Sequence, residues 1–314
     1  MKRDHRWALH IPLGIFLILT MIPFVFAVNN IFRTNSELDH AFFAFPHCLK
    51  GLAQIGVDSV TGTERQYLFY DENGRKALGG RDEALPQYWV QLKRGPGLAW
   101  SVIRKYMLNS FIVSGLTALG TVLIGSVTAY ILSRYRFAGY KYVFMAIIST
   151  MMFPGVLTLV PSFLLVKELG LLNTYWAMVF PYIAGGQVFA IFVFKSFFEG
   201  LSEDLFGCAR IDGAGHFMLY THIVLPLSKP VFSVVLIMNV LGTWNNFLWP
   251  FIVNTEGKHH VIASGLYVLA TSPHAANYAT LYAAYAISSI PLLLLFVYAT
   301  KPFISGMTSG AFKA

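Results

Sequence analysis

The residues of this sequence best suited to recognising a solute are amides and aromatic rings set inside an apolar run. From Val231 to Val253 the chain reads VFSVVLIMNVLGTWNNFLWPFIV. At helical spacing, Asn239, Asn246 and Pro250 fall near one face, together with Gly242 and Thr243. Trp249 lies three residues beyond Asn246, and Trp244 and Asn245 add another ring and amide. Amides exchange hydrogen bonds with hydroxyl groups, and an indole face stacks on the C–H face of a sugar ring. Gln187, Tyr282 and Tyr285 are further polar candidates in other apolar runs. The same residue types also join helices inside a membrane, where Asn and small residues pack closely. Solute recognition and packing both remain open at this stage.

Other chemistries lose support. There is no G-x-x-x-x-G-K-[ST], so the chain lacks a phosphate-binding loop for ATP. H-E-x-x-H and G-x-S-x-G are also missing, which removes two common hydrolase patterns. The histidines form no trusted metal-binding pair, and His259-His260 reads as a solvated doublet. No apolar run has an acid in its middle, as a proton-coupled carrier acting alone usually needs. A membrane enzyme is a weaker reading, because Asp58, Glu64, Asp71, Glu72, Asp82 and Glu83 form no recognisable arrangement.

Composition says where these residues must sit. The chain has 314 residues, 56% hydrophobic and 12% charged, with a mean hydropathy of +0.58. Soluble proteins carry about 25% charged residues, so a bilayer must supply the solvent here. Six runs reach spanning length: roughly Ala8–Val28, Asn109–Ser133, Val143–Val166, Tyr175–Phe194, Val231–Val253 and Leu281–Thr300. The basic start at Lys2, Arg3 and Arg6 could mark a signal peptide, but the first run is long and lacks a clear cleavage site, which favours an uncleaved span.

The net charge of +8 comes from cations edging the runs, so it implies membrane orientation and no nucleic acid. With the N-terminus in the cytoplasm, the inner segments hold Lys2, Arg3, Arg6, Arg134, Arg136, Lys141, Lys195, Arg210, Lys229, Lys301 and Lys313, eleven in all. The two short outer loops hold Lys167 and Lys258. The remaining cations belong to a long first outer loop, which translocates largely regardless of charge; Arg104 and Lys105, near the second span, are a mild counter-signal. Both termini are therefore expected inside. Cys48 and Cys208 are expected on opposite sides, without a disulfide.

The chain divides into residues 1–28 (tail and first span), 29–107 (extracytoplasmic insert) and 108–314 (membrane domain). In the insert, Asp71-Glu-Asn-Gly74 and Gly79-Gly80 read as turns, and Gln66–Tyr70 and Tyr88–Leu92 as strands.

The longest polar break in the second half is Glu199–Pro230, EGLSEDLFGCARIDGAGHFMLYTHIVLPLSKP. Ser202 reads as a helix N-cap, with Glu203 and Asp204 in the first turn. Leu201, Leu205, Cys208 and Ala209 share one helical face. Gly213 is a natural stop, a second short helix starts near Ala214 and ends at Pro226, and Pro230 suits the first turn of the next run.

This layout resembles the coupling segment of permease subunits of binding-protein-dependent ABC importers. The family signature is Glu-Ala-Ala, three residues, Gly, then Ile-x-Leu-Pro. Ala209-Arg-Ile-Asp-Gly-Ala214 and Ile223-Val-Leu-Pro226 match it, in the form typical of the sugar-importing subfamily. The signature glutamate falls on Gly207 and its first alanine on Cys208. Leu108–Val113, Phe153-Pro-Gly155, Val160–Val166, Leu169–Thr174 and Leu241–Pro250 are similar to further family motifs, so the likeness runs from about Leu108 to the C-terminus.

The resemblance implies an all-α membrane protein of the type I importer fold, with six transmembrane helices and a long extracytoplasmic insert after the first. It would be a bacterial or archaeal inner-membrane subunit for a sugar or polyol, with glycerol phosphate an alternative. The implied partners are a second permease, two ATPase subunits that bind ATP and Mg, and an extracytoplasmic solute-binding protein; this chain binds no cofactor. In maltose-type relatives the sugar rests mainly on the other permease. Ala209, Arg210, Asp212, Gly213 and Ala214 would dock in the ATPase cleft. Glu203, one turn before Gly207, could supply the missing carboxylate.

Overall fold

The computed structural model describes residues 6–41, 43–70, 75–272 and 277–311, with side chains from His10 to Ala299 within those ranges. The Asp71–Gly74 turn and the cations Lys2, Arg3 and Lys313 lie outside the described residues, as do the side chains of Arg6 and Lys301. The chain forms two compact units, one of residues 1–105 with 265–290, the other of residues 106–264 with 291–314.

In the first unit, α1 (Arg6–Asn30) is long and apolar, with a mean hydropathy of 2.5 over its best window. Its large side chains from Ile11 to Val28 are mostly exposed, as a helix surrounded by lipid or partner helices requires. Then follow α2 (Asn35–His40), α3 (His47–Thr61) and an antiparallel hairpin of β1 (Tyr67–Tyr70) and β2 (Lys76–Gly79), with Tyr67 opposite Gly79. The strand read at Gln66–Tyr70 is present. The one read at Tyr88–Leu92 is not, because α4 (Arg81–Arg134) is a single helix of 54 residues. Ala84, Tyr88, Gly95, Ala99, Ile103 and Met107 are buried along it. That stripe has the helical period over six turns, which outweighs a short aromatic run. Gly95 is required here, since a Cβ would stand 2.8 Å from the Ile31 carbonyl oxygen.

A buried ionic knot closes this unit. Arg33 is 1% exposed; it donates to Asn30 Oδ1 at 3.0 Å and to the Glu37 carbonyl at 2.6 Å, and it also bonds the Ala41 carbonyl. Its Nε lies 3.9 Å from Glu37 Oε2. Glu37 also accepts from Gln91 Nε2 at 2.9 Å and from the His47 backbone N–H at 3.2 Å. Both charges are thus desolvated but held by several directed bonds, the condition under which a buried pair is tolerated.

In the second unit, α5 (Tyr140–Ser149) and α6 (Gly155–Glu168) meet at 99°. The run Val143–Val166, read from sequence as one span with prolines that mark kinks, is therefore sharply bent. Pro154 explains the break: it has no N–H to donate, and Phe153 before it is extended (φ −80°, ψ 122°). α7 (Trp176–Glu199) is unbroken despite Pro181 within it. After it come α8 (Glu203–Ile211), α9 (His216–Leu219), a π-helical turn (Tyr220–Val224), α10 (Leu225–Leu227) and α11 (Lys229–Trp244). α12 (Leu248–Val253), α13 (Ile262–Thr271) and α14 (Tyr278–Ala311) complete the described chain. Among the described residues, four helices are long and apolar enough to cross a membrane, and up to six spans result if each of two bent pairs is one span.

The family-like loop Leu169–Thr174 follows from backbone geometry. Gly170 and Asn173 take left-handed φ of 67° and 60°. Asn173 Oδ1 accepts from the Glu256 N–H at 3.2 Å, and its own N–H donates to the Val253 carbonyl at 2.9 Å.

Arg33→Ala would strand Glu37 as a buried unpaired charge. We expect a loss of about 3–5 kcal/mol, read as a fall in the thermal midpoint of detergent-purified protein. Replacing Glu37 by Leu as well should recover much of it. A double variant no more stable than the single one would contradict this assignment.

Candidate functional site

Two places in the second unit combine exposed or unsatisfied chemistry. The first is the Glu199–Pro230 segment. Ser202 caps α8, its Oγ accepting from the Asp204 N–H at 3.3 Å. Gly213 has φ 82°, the left-handed conformation expected of a helix stop. The Ala214 N–H returns to the Ala209 carbonyl at 2.9 Å, closing the turn between the two short helices.

The second short helix differs from expectation. It passes through Pro226 and stops at Leu227, because the wider π-helical turn just before the proline relieves the clash an α-turn would impose. Tyr220, within that turn, is tied to Ser126 by a 2.7 Å hydroxyl pair. The chain then bends by 78° into α11, with Pro230 in its first turn as expected.

The buried face of α8 is also different. Phe206 is fully buried, with Leu201 and Ala209 packed on the same core. Leu205 and Cys208, which spacing groups with Leu201 and Ala209 on one face, are exposed. The reason is tertiary: the Phe206 ring packs into the core cluster with the Arg134 guanidinium 4.0 Å from its centre. The outer face is therefore apolar. Leu205 is 48% exposed, Ile211 87%, Phe217 80% and Met218 53%. Arg210 and Asp212 are exposed beside them, and Ala214 is half-buried against the core. Glu203 bonds Arg134 Nη1 at 2.6 Å, so its carboxylate already has a partner within the chain. A Cβ on Gly207 would meet nothing within 4 Å, so the missing glutamate was not lost for lack of room.

The second place is a seam where α4, α7 and α11 approach closely. A Cβ on Gly186 would lie 2.8 Å from Asn239 Nδ2 and 3.2 Å from Thr121 Oγ1. A Cβ on Gly125 would lie 3.2 Å from Gln187 Oε1. Buried side-chain atoms here lack any protein partner: Thr117 and Thr121 Oγ1, Tyr182 Oη, both amide atoms of Gln187, and Asn239 Oδ1. Thr117 and Tyr182 lie one turn before Thr121 and Gly186 on their helices. Each unpartnered buried group costs about 1–3 kcal/mol, more than a packing seam has reason to carry.

Of the solute candidates read from sequence, this seam gathers Gln187 and Asn239 alone. The others have local duties. α11 ends at Trp244, so Asn239 and Asn246 do not share a continuous helix face as spacing suggested. Asn246 Oδ1 instead accepts from the Trp249 N–H at 3.3 Å, and Asn245 Nδ2 donates to the Leu241 carbonyl at 3.0 Å. Both close helix ends at the break. The Trp249 indole N–H donates to the Ala177 carbonyl at 3.0 Å within a packed core. Trp244 is buried edge-to-face on Phe111. Tyr282 and Tyr285 belong to the first unit, where Tyr282 packs on Phe26. Sequence reading missed Thr117, Thr121 and Tyr182. The available signal was a pair of threonines four residues apart, beside Gly120.

Gly213→Val forces a β-branched residue into φ > 0 and should destabilise the protein, whereas Gly207→Ala should stabilise α8 by about 1 kcal/mol. Thermal midpoints of the detergent-purified variants distinguish the two. Equal midpoints would show that the turn geometry is dispensable.

Comparison with known proteins gives consistent matches. The family described as binding-protein-dependent transport system inner membrane component matches residues 121–308. A diacetylchitobiose uptake system permease protein of Streptomyces coelicolor is 32% identical over 231 residues, 73% of this chain and 76% of its own length. An arabinooligosaccharides transport system permease protein of Bacillus subtilis is 33% identical over 213 residues, 68% of this chain and 75% of its own. A solved chain of a bacterial ABC transporter involved in the import of the acidic polysaccharide alginate shares the fold. Its TM-score is 0.69 at 18% identity, over 96% of this chain and 98% of that one.

Proposed function

The chain belongs to the family of inner membrane components of binding-protein-dependent transport systems, and on that premise we propose that it forms half of the membrane path of an ATP-driven importer for a neutral oligosaccharide or related polyol. The observation that carries the solute side of this reading is the seam of Thr117, Thr121, Tyr182, Gln187 and Asn239. All five side chains are neutral and hydrogen-bonding. A sugar passing between α4, α7 and α11 would meet hydroxyl and amide groups that have no other protein partner for the atoms named above. A phosphate-bearing solute would call for a cation at this depth, and the five residues supply none.

The energy comes from elsewhere. The sequence has no phosphate-binding loop, so ATP and Mg belong to two partner ATPase subunits. Their cleft would cover the exposed Leu205, Ile211, Phe217 and Met218, an apolar surface of the sort a partner buries. A second permease completes the path, and an extracytoplasmic binding protein delivers the solute. ATP-driven closure of the ATPase pair binds one arrangement of α8 and α9 better than the other, and that difference shifts the spans between inward- and outward-open states. Both termini and the Glu199–Pro230 segment face the cytoplasm, following the distribution of cations in the short loops.

Gln187→Ala and Asn239→Ala should each cut uptake several-fold with the complex intact, since one hydrogen bond is worth about 0.5–1.5 kcal/mol. Normal uptake in both would remove the seam from the solute path. Topology is tested by an impermeant thiol reagent on cells carrying Cys208→Ser. Cys48 can stay, because burial, with Glu37 adding to it, pushes its thiol up to about 12 and leaves it protonated and unreactive at neutral pH. Thr63→Cys should label from outside and Asp204→Cys only after permeabilisation. The reverse pattern would invert the topology.

A further inference from the structure

Arg134 is the last residue of α4, and its side chain is 3% exposed. Its guanidinium reaches three successive pieces of the neighbouring chain. Nη2 donates to the carbonyl of Phe198 in the last turn of α7, and to the carbonyl of Leu201 at 2.9 Å. Nη1 donates to Glu203 Oε1 at 2.6 Å in the first turn of α8. The flat face of the group lies over the buried Phe206 ring, one turn further along α8, at 4.0 Å.

The chemistry of each contact is favourable where it occurs. The carbonyls at a helix C-terminus lack intrahelical partners and carry partial negative charge, so a cation closes them well. Glu203 sits at a helix N-terminus, where a carboxylate is stabilised. A planar fork can make these bonds at once, while an ammonium acts as a single point. The contacts differ in exposure. Phe198, Leu201 and Phe206 hold the guanidinium from the buried side, whereas the Glu203 side chain is 73% exposed.

We propose that Arg134 is the positioning residue that locks the end of α4 to α8, so that a push on the Glu199–Pro230 segment moves the second span with it. The carbonyl and aromatic contacts form the permanent joint. The Glu203 bond is the exchangeable one, able to trade its partner for water or a group on the ATPase as the two states interconvert. Without the joint, α8 would follow the ATPase while α4 lagged behind, and ATP would be hydrolysed with little solute moved. This rests on the transport role proposed above and adds a path for its coupling.

The test uses the whole transporter in proteoliposomes with its binding protein, and reads solute moved per ATP hydrolysed. ATP-dependent uptake by the unaltered complex establishes the transport role independently; without it, the role itself fails. Arg134→Lys keeps the charge and loses the fork, and Phe206→Leu keeps an apolar core and loses the ring under the guanidinium. In each, the ratio of solute to ATP should fall roughly three- to tenfold, the scale of one ordinary hydrogen bond or one cation–π contact, while ATPase subunits still co-purify. If either variant assembles less complex but what assembles keeps the unaltered ratio, Arg134 serves stability alone and the proposal is overturned. Should Arg134→Lys fail to assemble, Phe206→Leu decides by the same ratio.

Discussion

Hydrocarbon offers no hydrogen bonds, so every interruption of a helix within a membrane domain has to be closed from inside the protein. This chain interrupts its helices repeatedly and closes them with side chains. Asn246 accepts from the Trp249 N–H, and Asn245 donates to the Leu241 carbonyl, where α11 gives way to α12. Arg134 adds bonds to the Phe198 carbonyl in the last turn of α7 and to the Leu201 carbonyl just beyond it. Asn173 does the same between the α6–α7 loop and the end of α12. The seam at Thr121, Gly186 and Asn239 departs from that pattern. Its polar groups sit inside the second unit with atoms that bond nothing in the protein. Stability alone would have selected apolar residues there, so the seam points to a function.

Much of this was legible in sequence because the signals are strong and local. Apolar length marked the spans. Ser202 and Gly213 marked the ends of α8 by the conformations their types favour, and both hold those positions. The helix bends were less legible. Proline and glycine at Phe153-Pro-Gly155 allow a break, but only the packing around it fixes an angle of 99°. Likewise, the NN pair at Asn245-Asn246 looked like solute-binding amides, because composition cannot distinguish an amide that closes a helix end from one that awaits a ligand.

The polar seam was harder still. Threonine in an apolar run resembles any β-branched filler, and its hydroxyl gains meaning only when α7 and α11 bring Gly186 and Asn239 against it. The rotation of α8 was hidden for a similar reason. Spacing grouped Leu205 and Cys208 with Leu201 and Ala209 on one face, but the residue of α8 that is fully buried is Phe206, against Arg134 from 72 positions earlier. Long-range contacts of this sort leave no local periodicity to read.

The chain is a membrane subunit of the type I importer fold, and the proposed function has a push on its short interfacial segment open the neutral seam. The most direct test is thiol reactivity at the seam. Thr121→Cys and Asn239→Cys in the assembled transporter, with Cys208→Ser, would be treated with a small water-soluble thiol reagent in nucleotide-free and ATP-bound states. The account predicts that reactivity differs strongly between the two states and falls when the transported sugar is present. Equal, low reactivity in both states, unaffected by sugar, would mean that the seam never opens to the path and would contradict it.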